Sequence, residues 1–292
     1  MFPNTKKTFL NLRWVIFVLA LYFILYTLCQ VFSGAIILPQ TFSLGPFTVR
    51  YYGFFMALAV ASGFYLAVKR ANTFGLATKE AEDILFWTIV GGFIGARLYH
   101  VLSSLQFYLN HPLDIFKVWN GGLSIYGVVL GGIISLLVYR KLKTYNLQLT
   151  TILNWLTPSL IVGQIIGRFG NMFNYELYGY PTTLPWKMFV QESFRSSQYE
   201  ASIFFHPLFL YEQLGLFVIF FVVTRLEVRK KVSLFFWYVL LYNILRIPLE
   251  FLRIDSAFIG GVRQNALVSF VLILIAIVFL VKHARRKERV FS

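Results

Sequence analysis

Apolar residues in this chain fall in long unbroken runs, without the alternation or three-four spacing of half-buried strands and surface helices. Eight runs lie near residues 14–38, 51–68, 84–104, 121–139, 149–167, 207–224, 232–251 and 264–281. Each approaches the roughly 20 residues that a helix needs to cross a hydrocarbon core. Most carry no charge, but Arg97 and His100 interrupt the third, Glu212 the sixth, and Arg246 and Glu250 the seventh. No Pro/Gly/Ser-rich linker or composition break separates the runs. The pattern predicts one all-α polytopic membrane domain with about eight transmembrane helices.

Composition agrees, because 58% hydrophobic and 13% charged residues lie far from the averages of soluble domains. The formal net charge of +15 would suit a nucleic-acid binder, but its placement points elsewhere. Basic residues gather at Lys6, Lys7 and Arg13, at Lys69, Arg70 and Lys79, and at Arg140, Lys141 and Lys143. Further groups are Arg225, Arg229, Lys230 and Lys231, then Lys282, Arg285, Arg286, Lys287 and Arg289. In an eight-helix topology all of these fall on one side, as the positive-inside rule requires of the cytoplasm. Both termini are expected there, and no nucleic-acid partner is expected, since the charges are juxtamembrane.

The first run is longer than the roughly 7–15 apolar residues of a secretory signal and is read as an uncleaved anchor. Ser33-Gly34-Ala35 leaves a cleavage site open. The single cysteine, Cys29, excludes an intramolecular disulfide and any multi-cysteine metal site. His100, His111 and His206 show no ligand spacing, so no metal is expected.

In this topology residues 39–52, 105–126, 168–206 and 252–263 face outward. The 168–206 stretch is long and apolar enough to predict a small folded head. It opens with Gly167-Arg168-Phe169-Gly170-Asn171-Met172-Phe173-Asn174-Tyr175-Glu176-Leu177-Tyr178-Gly179. So many strong hydrogen-bonding groups at a helix end demand a polar partner. The flanking glycines would let backbone approach a ligand closely. Arg246, Glu250 and Arg253 are spaced i, i+4, i+7, which predicts one helical face, with Pro248 loosening the backbone between them. Two readings stay open: a structural Arg–Glu–Arg network, or guanidiniums that clamp an anion such as a phospholipid headgroup. Arg97 and His100 are expected to face the same polar interior, and an embedded Glu212 needs a partner.

These pieces together resemble the bacterial prolipoprotein diacylglyceryl transferases. Residues 167–179 are similar to that family's signature Gly-Arg-x-Gly-Asn-Phe-x-Asn-x-Glu-x-x-Gly, with Met172 in place of phenylalanine. Ser43-Leu44-Gly45-Pro46 with Val49-Arg50-Tyr51-Tyr52-Gly53, then Gly95-Ala96-Arg97-Leu98, match in order. Trp119-Asn120-Gly121-Gly122-Leu123-Ser124-Ile125-Tyr126-Gly127, His206-Pro207 through Tyr211-Glu212, and Arg246-x-x-x-Glu250-x-x-Arg253 complete the set. The likeness runs from about residue 40 to 281.

The resemblance implies a transferase that moves the diacylglyceryl group of phosphatidylglycerol onto the lipobox cysteine thiol of an exported preprolipoprotein. It implies no metal or organic cofactor, and membrane lipids as surroundings. Arg168, Arg246 and Tyr126 become the catalytic candidates. Arg168, Asn171, Asn174, Glu176, Gly179, Tyr52, Arg246, Glu250 and Arg253 become the phosphatidylglycerol-binding candidates, with Glu250 and Arg253 supporting Arg246. The implied layout is a cytoplasmic stub and extra transmembrane helix over 1–40 and a transferase membrane domain over 41–282. Residues 168–206 form its extracytoplasmic head, and 283–292 a basic cytoplasmic tail. The implied location is the bacterial inner membrane. Two departures stand out: a tyrosine at 126, where many members carry histidine, and a helix preceding the family's usual seven. They leave a catalytically silent phospholipid-binding paralogue, or an anionic-lipid transporter, as alternatives.

Overall fold

The computed structural model describes residues 5–142, 148–228 and 233–291, with backbone alone for 5–13, 120, 228 and 286–291. Nine α-helices occur among them: α1 (Thr5–Ser33), α2 (Tyr51–Arg70), α3 (Thr78–Ser103), α4 (Leu105–Asn110) and α5 (Ile125–Leu142), then α6 (Leu149–Phe173), α7 (Leu208–Val228), α8 (Leu234–Leu252) and α9 (Gln264–Phe291). All except α4 are long and apolar enough to cross a membrane, which gives the eight expected spans. Among the described residues the strands form short antiparallel pairs, β1 (Thr41–Leu44) with β2 (Phe47–Arg50), β3 (Met188–Phe189) with β4 (Phe204–Phe205), and β5 (Phe258–Ile259) with β6 (Val262–Arg263). The chain is a multi-pass, all-α membrane protein. The basic positions Lys143, Arg229, Lys230 and Lys231 lie outside the described residues.

The chain divides into two compact units, Val60–Leu160 and Met1–Ala59 with Ile161–Ser292. In the first, α3 and α5 meet through glycine. A Cβ on Gly95 would strike the Gly127 carbonyl and lie 2.7 Å from Gly131 Cα, and one on Gly91 would lie 2.9 Å from the Gly131 carbonyl. Small residues thus let two backbones touch, the usual route to tight packing where lipid removes the hydrophobic drive. Trp155, fully buried, donates its indole N–H to the Ala67 carbonyl at 2.7 Å, pinning α6 to α2 within this unit.

Helix ends differ from the hydropathy runs where backbone chemistry intervenes. Helix α3 starts at Thr78, earlier than the apolar run, because Glu80 reaches back to the Ala77 N–H at 2.9 Å and caps it. Helix α5 starts later than residue 121. Gly121 and Gly122 hold φ of 92° and 76°, which keeps them out of the helix. Their carbonyls accept from Arg97 Nη1 at 2.7 and 3.0 Å. The same guanidinium donates to Ile115 O at 2.8 Å and to Asp114 O, and lies over the Tyr108 ring. Arg97 therefore spends its donors on the loop that leads to Tyr126, with the His100 ring packed edge-on against Tyr108.

The second unit holds α7, α8 and α9 as consecutive neighbours, with Phe236 stacked on Phe279 at 4.4 Å. Its head forms around 174–207. The 203–206 strand is flanked by β3 on one side and by 179–182 on the other, and Gly179 pairs onward with Arg253. Met172, Tyr175, Met188, Val190, Phe205 and Phe209 make its apolar core.

Three expectations follow. Gly95→Val should lower stability by about 1–3 kcal/mol, since the obstructing atoms are backbone and cannot swing away. Gly53→Ala, where no atom lies within 4 Å of an added Cβ, should leave the thermal midpoint of the detergent-solubilised protein unchanged. Arg97→Ala should strand four loop carbonyls and make the 111–122 segment the first site of limited proteolysis.

Candidate functional site

The polar cluster of the second unit is built around one carboxylate. Glu212 sits one turn into α7 and is 1% exposed. Its Oε1 accepts from Arg168 Nη2 at 2.5 Å and from the Tyr242 hydroxyl at 2.8 Å, and its Oε2 accepts from Arg246 Nη1 at 3.1 Å. Arg168 lies near the end of α6, and Tyr242 and Arg246 lie one turn apart on α8, so three helices converge on a single anion. Arg246 also faces Glu250 Oε2 at 3.6 Å, and Glu250 Oε1 accepts from Asn265 on α9 at 3.2 Å.

From Arg168 the network continues outward. Nη1 donates to Asn171 Oδ1 at 3.2 Å, Asn171 Nδ2 donates to Glu176 Oε2 at 3.1 Å, and Asn174 Nδ2 donates to Glu176 Oε1 at 3.1 Å. Arg168 Nε is buried and has no hydrogen-bond partner among the described residues. A guanidinium carries five N–H donors, and among the described residues two of Arg168's are engaged.

Backbone geometry explains why these side chains converge. Helix α6 ends at Phe173. The Tyr175 N–H then bonds Met172 O at 3.3 Å and the Glu176 N–H bonds Asn171 O at 3.0 Å, the paired bonds of a Schellman cap. Tyr175 and Leu177 both take left-handed φ, 52° and 55°. Two such residues around Glu176 fold its carboxylate back toward the amides of Asn171 and Asn174. The glycines serve protein neighbours. A Cβ on Gly170 would lie 3.1 Å from the Tyr52 ring, and one on Gly179 would lie 2.6 Å from Leu252 O. The expected close approach is thus to other parts of the chain.

Other predicted residues stand differently. Arg246 and Glu250 share the face of α8, but the i+7 relation fails for Arg253. The helix ends at Leu252, Arg253 is extended, and its guanidinium grips Asp255 at 2.6 and 2.9 Å. That grip holds the Asp255 carboxyl below the ordinary carboxylate range. Arg263 closes the β5–β6 hairpin over this point by donating to Glu250 O, Arg253 O, Ser256 Oγ and Tyr180 Oη. Helix α8 runs through Pro248 without interruption. Tyr126 belongs to the 60–160 unit, second in α5 and about half exposed, with its ring 5.9 Å from Tyr99. On the head, Trp186 Nε1 donates to Tyr211 Oη at 2.7 Å, and that hydroxyl lies 3.0 Å from His206 Nδ1. Burial lowers the pKa of His206. Among the described residues no group of three His, Cys, Asp or Glu side chains is arranged to hold a metal ion.

Sequence reasoning singled out Glu212, Arg168 and Arg246 without pairing them, and it missed Tyr242 and Asn265. One tyrosine among the chain's 17, uncharged within an apolar run, and one asparagine opening α9 give no signal on their own.

The sequence model of the family described as prolipoprotein diacylglyceryl transferase matches residues 39–282. The phosphatidylglycerol–prolipoprotein diacylglyceryl transferase of Thermotoga maritima is 36% identical over 257 residues, 87% of this chain and 87% of that protein. Its counterparts in Fervidobacterium nodosum and Gloeobacter violaceus are 37% and 36% identical, each over 256 residues. These cover 86% of this chain in both cases, and 87% and 94% of the relatives. Matched over most of its length in both comparisons, the chain belongs to the prolipoprotein diacylglyceryl transferase family.

Proposed function

We propose that this protein transfers the diacylglyceryl group of phosphatidylglycerol to the lipobox cysteine thiol of an exported preprolipoprotein. The thiol sulfur attacks glyceryl C3, the bond from C3 to the phosphate oxygen breaks, and glycerol phosphate leaves with that electron pair. The thiol proton passes to a base, and a thioether remains. Family membership supports the reading. The observation that carries it is Arg168 Nε, a buried donor without a partner among the described residues, beside a second guanidinium held by the same carboxylate.

In this reaction negative charge grows on the departing phosphate. Fixed N–H donors in a water-poor site stabilise that change more than they stabilise the bound lipid. Arg168 and Arg246 take the phosphate and Glu212 aims them. Asn171, Asn174 and Glu176 line the approach, with Tyr52 and Gly179 shaping it. Glu250 restrains Arg246, and Arg253 contributes through the hairpin closure at Asp255. Tyr126 orients reacting groups through a phenolic hydroxyl that can both donate and accept a hydrogen bond. The clustering of Lys and Arg supports cytoplasmic termini, a site opening toward the outer face of the bacterial cytoplasmic membrane, and one extra helix before the transferase domain.

The test is a transfer assay with purified protein, phosphatidylglycerol and a lipobox peptide, followed by mass spectrometry of the peptide and of released glycerol phosphate. Arg168→Ala should reduce transfer about 10²–10³-fold, and a Cys→Ser peptide should gain no mass. Lipid binding without transfer by the wild type would overturn the enzyme reading in favour of a silent lipid-binding paralogue. Glu212→Gln keeps the shape but loses the charge that aligns both guanidiniums. It should reduce transfer about 10²-fold while phosphatidylglycerol binding persists.

A further inference from the structure

The C-terminal end of α1 docks on the head, although the family match begins only at residue 39. Leu28, Phe32 and Leu38 pack against the head core, and the Phe32 ring meets Phe209 edge-on at 6.3 Å. Gly34 (φ 82°) turns the chain out of the helix, with Phe189 lying where a Cβ would be. Four residues later the Leu38 N–H donates to the Tyr175 hydroxyl at 3.0 Å. Tyr175 is the left-handed residue of the cap that ends α6, between Asn174 and Glu176.

That position is one where glycine is the usual choice, because a side chain there meets the backbone. A tyrosine in this conformation is strained, because its Cβ crowds the following carbonyl oxygen. Such strain persists only where the surroundings hold it. The surroundings are visible: the ring stacks on Phe194 at 5.1 Å and 14°, the residue is 4% exposed, and the hydroxyl takes the Leu38 amide. With the Tyr175 side chain fixed inward, the neighbouring Asn174 and Glu176 are left to face the Arg168 network.

We propose that α1 and its 34–38 linker are a retained brace for the lipid-binding loop, and that Tyr175 is the positioning residue through which they act. This inference rests on the proposed transferase reading for its kinetic arm but not for its structural arm. It also requires that α1 stay attached in the mature protein. Cleavage after Ala35 would strip Leu28 and Phe32 from the head core.

The experiment uses the full-length chain in phosphatidylglycerol-containing nanodiscs. Tyr175→Phe keeps the ring and the strain but removes the acceptor, and Leu38→Pro removes the donor from the other side. Each should raise KM for phosphatidylglycerol about five- to tenfold, the scale of one neutral hydrogen bond, with kcat unchanged. The double variant should fall well short of the product of the two single effects, because both break the same bond, although Leu38→Pro also removes a side chain packed on the head core. Tyr175→Gly relieves the backbone yet removes the anchor, and it should show the same rise. A fall in kcat at constant KM would mean simple loss of folded enzyme and overturn the proposal. So would additive effects, wild-type kinetics for Tyr175→Gly, or a mature chain beginning after Ala35. The structural arm is amide exchange in the same variants. Uptake should quicken over both 34–40 and 171–178, and a change confined to 34–40 overturns the brace. If the wild type transfers nothing, the enzyme reading fails, while the exchange data still decide whether α1 orders the loop.

Discussion

A single buried carboxylate governs the arrangement of helices around the candidate site. Glu212 is withdrawn from water inside an apolar span, and an isolated charge there would be costly enough to unfold or neutralise the segment. It is tolerated because Arg168, Arg246 and Tyr242 all donate to it. The constraint runs the other way too. Two guanidiniums brought together without an anion between them would repel in a medium that screens poorly. Glu212 therefore fixes the register among α6, α7 and α8, and the outward chain through Asn171, Asn174 and Glu176 inherits that register.

The signature segment does its work as backbone geometry as much as chemistry. Helix α6 delivers Arg168 to the network and then stops within two turns. The stop uses a Schellman cap whose left-handed residue is Tyr175, followed by a second left-handed residue at Leu177. The turn returns Glu176 toward the helix end that it has just left. Gly170 and Gly179 allow the chain to pack against Tyr52 and Leu252 at this reversal. Motif spacing thus encodes a reversal with three polar side chains on its inner side.

The spans were legible because a helix in lipid must be apolar along nearly its whole length, a one-dimensional property. Helix ends were less legible because they answer to partners far away in sequence. Gly121 and Gly122 read as helix by hydropathy, yet Arg97 captures their carbonyls and holds them out of α5. Arg253 fits a seven-residue helical spacing from Arg246, but the helix stops one residue earlier and Asp255 offers a closer partner. The charged residues of the site were visible as anomalies within apolar runs. Their pairing was not, because Glu212 meets Arg168 and Arg246 across 44 and 34 residues of chain. Tyr242 carried no anomaly at all.

The charge balance at this centre bears on how a phosphate would be held. Arg168 and Arg246 are matched by Glu212 and Glu250, so the quartet is neutral before any ligand arrives. A headgroup anion would not be drawn by a surplus of positive charge at close range. It would be selected by donors whose direction is already set, Arg168 Nε first among them. Preorganised donors of this kind contribute most when charge on the acceptor increases, because they need not reorient as it does. A neutral, rigid cluster of this kind would favour the developing charge of a leaving phosphate over tight retention of the lipid.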